Sequence, residues 1–176
     1  MKTLIIVVHP HITKSVINKK WVEELLKYPE KYTVHLLQEN YPEGNIDVLA
    51  EQRLVEKYDK IVFQFPFYWF NCPALLKQWF DEVLTHGWAY GSESGYRMEG
   101  KKIALAISLG VNEKDLNETG KYKYTLKELT QPFELTFEYI KVKLQDPFAF
   151  YGIEHNISES HLALGVKSYL EFLDKF

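Results

Sequence analysis

The sequence predicts an α/β protein, a three-layer sandwich with a five-stranded parallel sheet between two layers of helices. Three observations predict it. Short apolar β-rich runs alternate about five times with segments of helical periodicity, which implies parallel strands joined by right-handed crossovers. The strand-like runs are apolar at nearly every position rather than at alternate ones, as in a sheet covered on both faces. The chain's 176 residues, 46% of them apolar, suffice for one well-cored domain, residues 1–176, and fall short of two.

In order, Leu4 to Val8 is a continuous apolar run and reads as the first strand. Val16, Ile17, Val22, Leu25 and Leu26 give helical spacing from about Ser15 to Lys27. Tyr32 to Leu37 is the second strand, Pro42 and Gly44 mark a loop, and Ile46 to Lys57 is the second helix. Lys60 to Phe65 is the third strand. A helix follows with Asn71 as its expected cap, Pro73 in its first turn, and a stripe of Leu75, Leu76, Trp79, Phe80, Val83 and Leu84 facing the core. Gly87 to Gly100 is a long loop, and Lys102 to Leu109 a fourth strand that stops at Gly110. After a polar loop containing Gly120 come a helix from Leu126 to about Lys143, a short strand from Asp146 to Tyr151, and a last helix from Ser158 to Phe176, capped by Ser158. Five units of this kind fit the flavodoxin-like strand order 2-1-3-4-5. No G-x-G-x-x-G follows the first strand, so the pyrophosphate fingerprint of dinucleotide-binding folds is absent.

Composition narrows the function classes. A formal charge of −3 argues against a nucleic-acid binder, which carries a strongly basic face. One cysteine, Cys72, permits no internal disulfide and no multi-cysteine metal site, which suits a reducing cytoplasm. The apolar run in MKTLIIVVHP ends too early for a secretory signal, and nothing approaches the roughly 20 apolar residues of a membrane span. No metal site is expected. G-x-S-x-G, P-loop and H-E-x-x-H signatures are absent, and Cys72 has no neighbouring base that would make it a nucleophile.

The chemistry-bearing segments lie at strand ends. His9 to Asn18 joins the first strand to the first helix, where free backbone N–H groups, Ser15, Asn18 and His9 form an anion site; Ser15 acting only as a helix cap is the competing reading. Pro66-Phe67-Tyr68-Trp69-Phe70 closes the third strand with amides for the polar edge of a flat heterocycle and aromatic rings for its face. Ser108-Leu109-Gly110 ends the fourth strand, and glycine there lets backbone approach a ligand closely. In a 2-1-3-4-5 sheet these three ends are neighbours. Tyr90, between Gly87 and Gly91, either covers a pocket or packs locally.

These segments resemble the flavodoxin-like NAD(P)H:quinone oxidoreductase family, which includes DT-diaphorase-like enzymes, general-stress quinone reductases and ancillary subunits of glutathione-gated potassium efflux systems. The resemblance covers nearly the whole chain. It is carried by HP-x-x-x-x-S-x-x-N from His9 to Asn18, FQFPFYWF-x-x-P-A-x-L-K-x-W-x-D from Phe63 to Asp81, G-x-A-Y-G from Gly87 to Gly91, and the segment Tyr124 to Phe133. It implies a flavin, FMN with FAD as the alternative, and NAD(P)H as electron donor. His9, Ser15 and Asn18 would hold the flavin phosphate and ribityl chain. Pro66, Phe67, Tyr68, Trp69 and Phe70 would cradle the ring, with Ser108 and Gly110 at its other edge. It also implies a homodimer in which Tyr90 enters the partner's acceptor pocket beside Trp69 and Phe70, a quinone-like acceptor, and a potassium efflux transporter as the alternative partner. Two positions depart from the family. Val111 stands where relatives carry a second glycine, and Leu116 and Asn117 occupy the region where some relatives place a tyrosine and a histidine as a proton relay.

Overall fold

A computed structural model describes residues 2–91, 95–154 and 157–176. Strands β1 (Thr3–Val7), β2 (Tyr32–Leu36), β3 (Lys60–Pro66), β4 (Lys102–Ser108) and β5 (Phe148–Phe150) form one parallel sheet in the order β2-β1-β3-β4-β5. The helices are α1 (Ile17–Leu25), α2 (Leu37–Asn40), α3 (Val48–Glu56), α4 (Ala74–Val83), α5 (Leu126–Tyr139) and α6 (Glu159–Lys175). The expected order and all-parallel pairing are therefore present. Residues 92–94 of the expected long loop lie outside the described residues. No helix among the described residues is long and apolar enough to cross a membrane.

The sheet separates two cores. On one face Leu4, Ile6, Ile61, Phe63, Phe65 and Leu105 meet α3, α4 and α5, with Phe63 packed edge-on against Trp79 and Phe80 at 5.2 and 5.3 Å. Burying such a side chain contributes about 2 kcal/mol. On the other face the alternate residues Ile5, Val7, Val62, Ala104 and Ala106 meet α1 and α6. The alanines leave room for Trp21 and Tyr169, whose rings lie 4.8 Å apart. Gly165 lets α6 close on β5, since a Cβ there would come within 2.7 Å of the Phe150 ring, and its carbonyl accepts the Trp21 indole N–H at 3.1 Å.

Several local expectations differ from the structure. In α1 the buried row is Ile17, Trp21, Val22 and Leu25, while Val16 and Leu26 are 48% and 61% exposed. The helix begins after a tight turn at Ile12–Lys14, so the i, i+4, i+8 row starts at Ile17. Asn71 does not cap α4; its side-chain oxygen accepts from the Cys72 N–H at 2.8 Å, and Pro73 holds the cap position without a side-chain bond. The helix α5 stops at Tyr139, short of Lys143. Lys141 takes φ +61°, and the Val142 and Lys141 N–H groups bond the carbonyls of Phe137 and Glu138, a Schellman ending built without glycine. The Ser158 cap is present, its hydroxyl accepting from the His161 N–H at 3.2 Å.

Candidate functional site

On the α1 side of the sheet the strands are apolar until their carboxyl ends, where the side chains become polar. Gln64 of β3 and Ser108 of β4 are buried there beside Asn18 of α1. The Asn18 amide donates to the Ser108 hydroxyl at 2.7 Å, and the Gln64 amide donates to the Asn18 backbone and side-chain oxygens at 3.2 and 3.3 Å. The Phe67 N–H bonds the Ser108 carbonyl at 2.9 Å and the Val8 N–H bonds the Gln64 carbonyl at 2.8 Å. Three strand ends are thus tied together beneath one surface. Gln64 Oε1 is buried with no partner among the described residues, an orphan that costs about 1–3 kcal/mol.

Above this floor lie two cavities that share Tyr68. The first, about 290 Å³, is lined by His9, His11, Lys14, Ser15, Asn18 and Pro66 among others. It sits at the start of α1, whose free N–H groups and dipole favour an anion. The Ser15 hydroxyl accepts from the Asn18 N–H at 3.2 Å, so it closes the first turn and keeps its own hydrogen to donate. His9 Nδ1 accepts from the His11 N–H at 3.1 Å, which leaves the ring proton on Nε2. Burial first, and the neighbouring His11 second, hold the His9 pKa below its ordinary value, so the ring is a neutral donor at neutral pH.

The second cavity, about 630 Å³, is a slot between the end of β3 and the end of β4. Its outer wall is the turn Tyr68-Trp69-Phe70-Asn71, closed by the Asn71 N–H on the Tyr68 carbonyl at 2.9 Å. Trp69 and Phe70 have φ of +49° and +60°, as both central residues of a type I′ turn require. Neither is a residue that favours this region, and each costs about 1–2 kcal/mol there. Trp69 is 92% exposed, so little packing within the chain repays that strain. Replacing it with glycine is expected to raise stability by about 0.5–1 kcal/mol in urea unfolding, while weakening an aromatic ligand of the slot about tenfold. Loss of stability without loss of binding would contradict both assignments.

The opposite wall of the slot is Leu109, Gly110 and Val111, and its end is formed by Tyr122 and Glu154. Gly110 is not at positive φ, and the space a Cβ would occupy there is filled by the carboxyl group of Glu154, a flexible side chain. The Tyr122 ring packs edge-on against Phe70 at 5.3 Å, and its N–H bonds the Asp115 carbonyl at 3.1 Å. Leu116 is buried in the core, and Asn117 is bonded within its own loop to Lys114 and Thr119.

Of the residues singled out in the sequence, His9, Ser15, Asn18, Pro66 and Tyr68 line the polar cavity. Phe67, Tyr68, Trp69, Phe70 and Gly110 line the slot, while Ser108 lines neither cavity and is buried against Asn18. Tyr90 lies elsewhere in the chain, outside the linings of both cavities. It packs against His86 and Tyr139 at 5.5 and 5.4 Å and faces a groove of about 780 Å³ between α4 and α5. That groove is larger, but it lies between helices, has Lys77 and Asp81 in a mostly apolar lining and gathers no strand-end donors; the candidate site is the pair of smaller cavities. Cys72 also faces the groove, and burial raises its thiol pKa to about 11, which makes it a poor nucleophile. Among the described residues no cluster of metal-ligating side chains occurs. Gln64, Tyr122 and Glu154 were not anticipated. Only Gln64 carried a signal, as the one polar residue inside an otherwise apolar strand.

The chain matches the model of a family described as having a flavodoxin-like fold over residues 1–173. It is 50% identical over 155 residues to the uncharacterized NAD(P)H oxidoreductase YrkL of Bacillus subtilis (strain 168), covering 88% of each chain. It is 37% identical to the glutathione-regulated potassium-efflux system ancillary protein KefG of Cronobacter sakazakii, covering 98% of this chain and 92% of that one. Among solved structures, general stress protein 14 of Treponema denticola in complex with FMN is 46% identical with a TM-score of 0.93 and 99% coverage of both chains. An NADPH-quinone reductase from P. pentosaceus is 29% identical with a TM-score of 0.86 and 98% coverage of both.

Proposed function

The chain belongs to the family with the flavodoxin-like fold, and on that premise we propose that it is an FMN-dependent NAD(P)H:quinone oxidoreductase. One observation carries the reading: a donor-rich cavity at a helix start adjoins, with Tyr68 in the lining of both, a slot lined by aromatic side chains. That pairing fits a ligand with a phosphate at one end and a planar ring at the other. The solved relative that contains FMN supports the same cofactor here, and the names of two relatives support NAD(P)H as donor. FAD is the alternative.

Bound FMN would supply the two-electron chemistry. The protein's residues bind, orient and shield. The first N–H groups of α1, the Ser15 hydroxyl, His9 Nε2–H and Lys14 hold the phosphate. One amide hydrogen of Asn18 is committed to Ser108, and the second is left for the ligand. The backbone from Pro66 to Phe70 would hold the polar edge of the ring, with Trp69 and Phe70 lining one side and Gly110 leaving room on the other once Glu154 moves aside. The Tyr122 hydroxyl, at the end of the slot, is placed to give a proton to a reduced acceptor.

The active form is a homodimer in the cytoplasm, where Cys72 stays reduced. Leu135 and Tyr139 are 63% and 68% exposed along the apolar groove that Tyr90 also lines. Two-fold pairing across this face covers the groove and carries Tyr90 into the partner's acceptor pocket, beside Trp69 and Phe70.

A single slot for donor and acceptor requires them to take turns. Purified protein should be yellow and release FMN, and initial rates against NAD(P)H and a quinone should give parallel double-reciprocal lines. Colourless protein that refuses added FMN defeats the cofactor assignment; intersecting lines defeat the alternation. The KefG relative supports a second reading, a flavin-binding ancillary subunit of a potassium efflux transporter. Full FMN loading with turnover near background, together with capture of such a transporter, would favour that reading.

A further inference from the structure

Among the described residues the aromatic slot has one charged side chain in its lining, Glu154. Its position is fixed by the backbone. The Ile153 N–H bonds the Leu109 carbonyl at 3.1 Å and the Gly152 N–H bonds the Val111 carbonyl at 2.9 Å, so the segment leading to Glu154 is fastened to the end of β4. From there the carboxyl group reaches over the bare Cα of Gly110. The adjoining cavity has the opposite character, with Lys14, His9 and His11 in its lining. The two cavities therefore differ in charge, with the Lys14 ammonium in the lining of one and the Glu154 carboxyl group in the lining of the other.

We propose that Glu154 sets the charge preference of the electron acceptor, admitting neutral or cationic acceptors and disfavouring anionic ones. This rests on the reading of the site as a quinone reductase. A ring that fills the slot displaces the carboxylate from Gly110, but the fastened backbone keeps it at the rim, where an acceptor bearing a sulfonate or carboxylate meets a like charge in a partly apolar setting. Neutral quinones meet no such opposition. No cation lines the slot among the described residues, and on the Tyr122 loop the Lys121 ammonium lies over the Tyr122 ring with Nζ 5.1 Å from the centroid.

The test compares wild type with Glu154→Gln, both loaded with FMN and normalised to bound flavin. Naphthoquinone and naphthoquinone sulfonate serve as acceptors, and anthraquinone and anthraquinone sulfonate as ligands for equilibrium titration. At low ionic strength the substitution is expected to raise the sulfonate-to-neutral ratio of kcat/KM about fivefold. The affinity ratio for the anthraquinone pair should move by the same factor, and both effects should shrink toward unity in roughly 1 M salt. An unchanged ratio in both measurements, or a change that salt does not screen, overturns the assignment. Should wild type reduce neither quinone, the quinone-reductase reading falls, while the anthraquinone titration still decides what Glu154 does.

Discussion

Replacing Gly110 with valine is expected to weaken FMN binding on the order of 100-fold, with thermal stability close to that of the parent protein. The asymmetry follows from what surrounds the residue. Gly110 does not adopt positive φ, so the backbone accepts a side chain without strain. The atoms a Cβ would meet belong to the far end of Glu154, a flexible side chain that swings away at little cost. The slot has no such freedom, because its lining includes the closed turn that begins at Tyr68 and the segment Leu109–Val111, which is held by backbone bonds to Phe150, Gly152 and Ile153. Titration of the apoprotein with FMN, read by flavin fluorescence, gives the affinity directly. A companion pair separates two explanations of the glycine. If Gly110 is small only to accommodate Glu154, adding Glu154→Ala to Gly110→Ala restores FMN binding. If it is small for the ring, the double variant stays weak, which is the expected result.

The largest effect on stability is expected at Glu51, far from the slot. Its side chain is buried in α3, and its two oxygens accept three hydrogen bonds: from His35 Nε2 and the Tyr41 hydroxyl at 2.9 Å each, and from the Trp79 indole at 2.8 Å. Burial pushes the Glu51 pKa upward, but the bonds from His35, Trp79 and Tyr41 and the charge of His35 outweigh it and hold the carboxyl below the usual carboxylate range. Glu51→Leu leaves the buried Trp79 indole and the half-buried His35 and Tyr41 donors without their acceptor and is expected to cost about 3–5 kcal/mol in urea unfolding at neutral pH. The pH dependence has a definite sign. A depressed pKa adds stability above the unfolded value of about 4.3 and loses it as pH falls through the folded value. Parent protein should therefore lose stability below about pH 5, and Glu51→Gln should lose less over the same interval. Equal slopes for the two would remove Glu51 from the acid response.

How much of this was readable from the chain depends on whether the deciding interaction is local. The alternation of apolar runs and the α4 stripe are repeated signals, each enforced by burial on a fixed period, and they predicted the sheet order and the packing of Trp79 and Phe80. Helix limits depended on single residues. Lys141 ends α5 in a conformation usually supplied by glycine, so no stop was visible. The start of α5 at Leu126 was legible and agrees with the structure, where Thr125 and Glu128 form a reciprocal capping box, spelled T-L-K-E ahead of an apolar run. In α1 the preceding tight turn moved the buried row onto Trp21, which the predicted stripe omitted.

At the site, residues adjacent in sequence were found and residues brought in from elsewhere were missed. His9 to Asn18, Pro66 to Phe70 and Ser108 to Gly110 sit at strand ends, and topology alone places strand ends together. Tyr122 and Glu154 reach the slot through irregular segments held by single backbone bonds to Asp115, Leu109 and Val111, and no spacing rule covers such paths. Gln64 is the exception, because a polar residue in a strand buried on both faces must have a partner, and that partner is Asn18.

The turn at Trp69 and Phe70 has an evolutionary corollary. Its backbone would be more at ease with asparagine or glycine at both positions, so under the proposed function the role of the two rings in the slot is what would maintain the aromatic spelling against drift. In lineages where redox duty has lapsed and a purely structural part remains, these two codons are where small residues should accumulate first. The letters at 69 and 70 then serve as a running record of whether a descendant still turns over substrate.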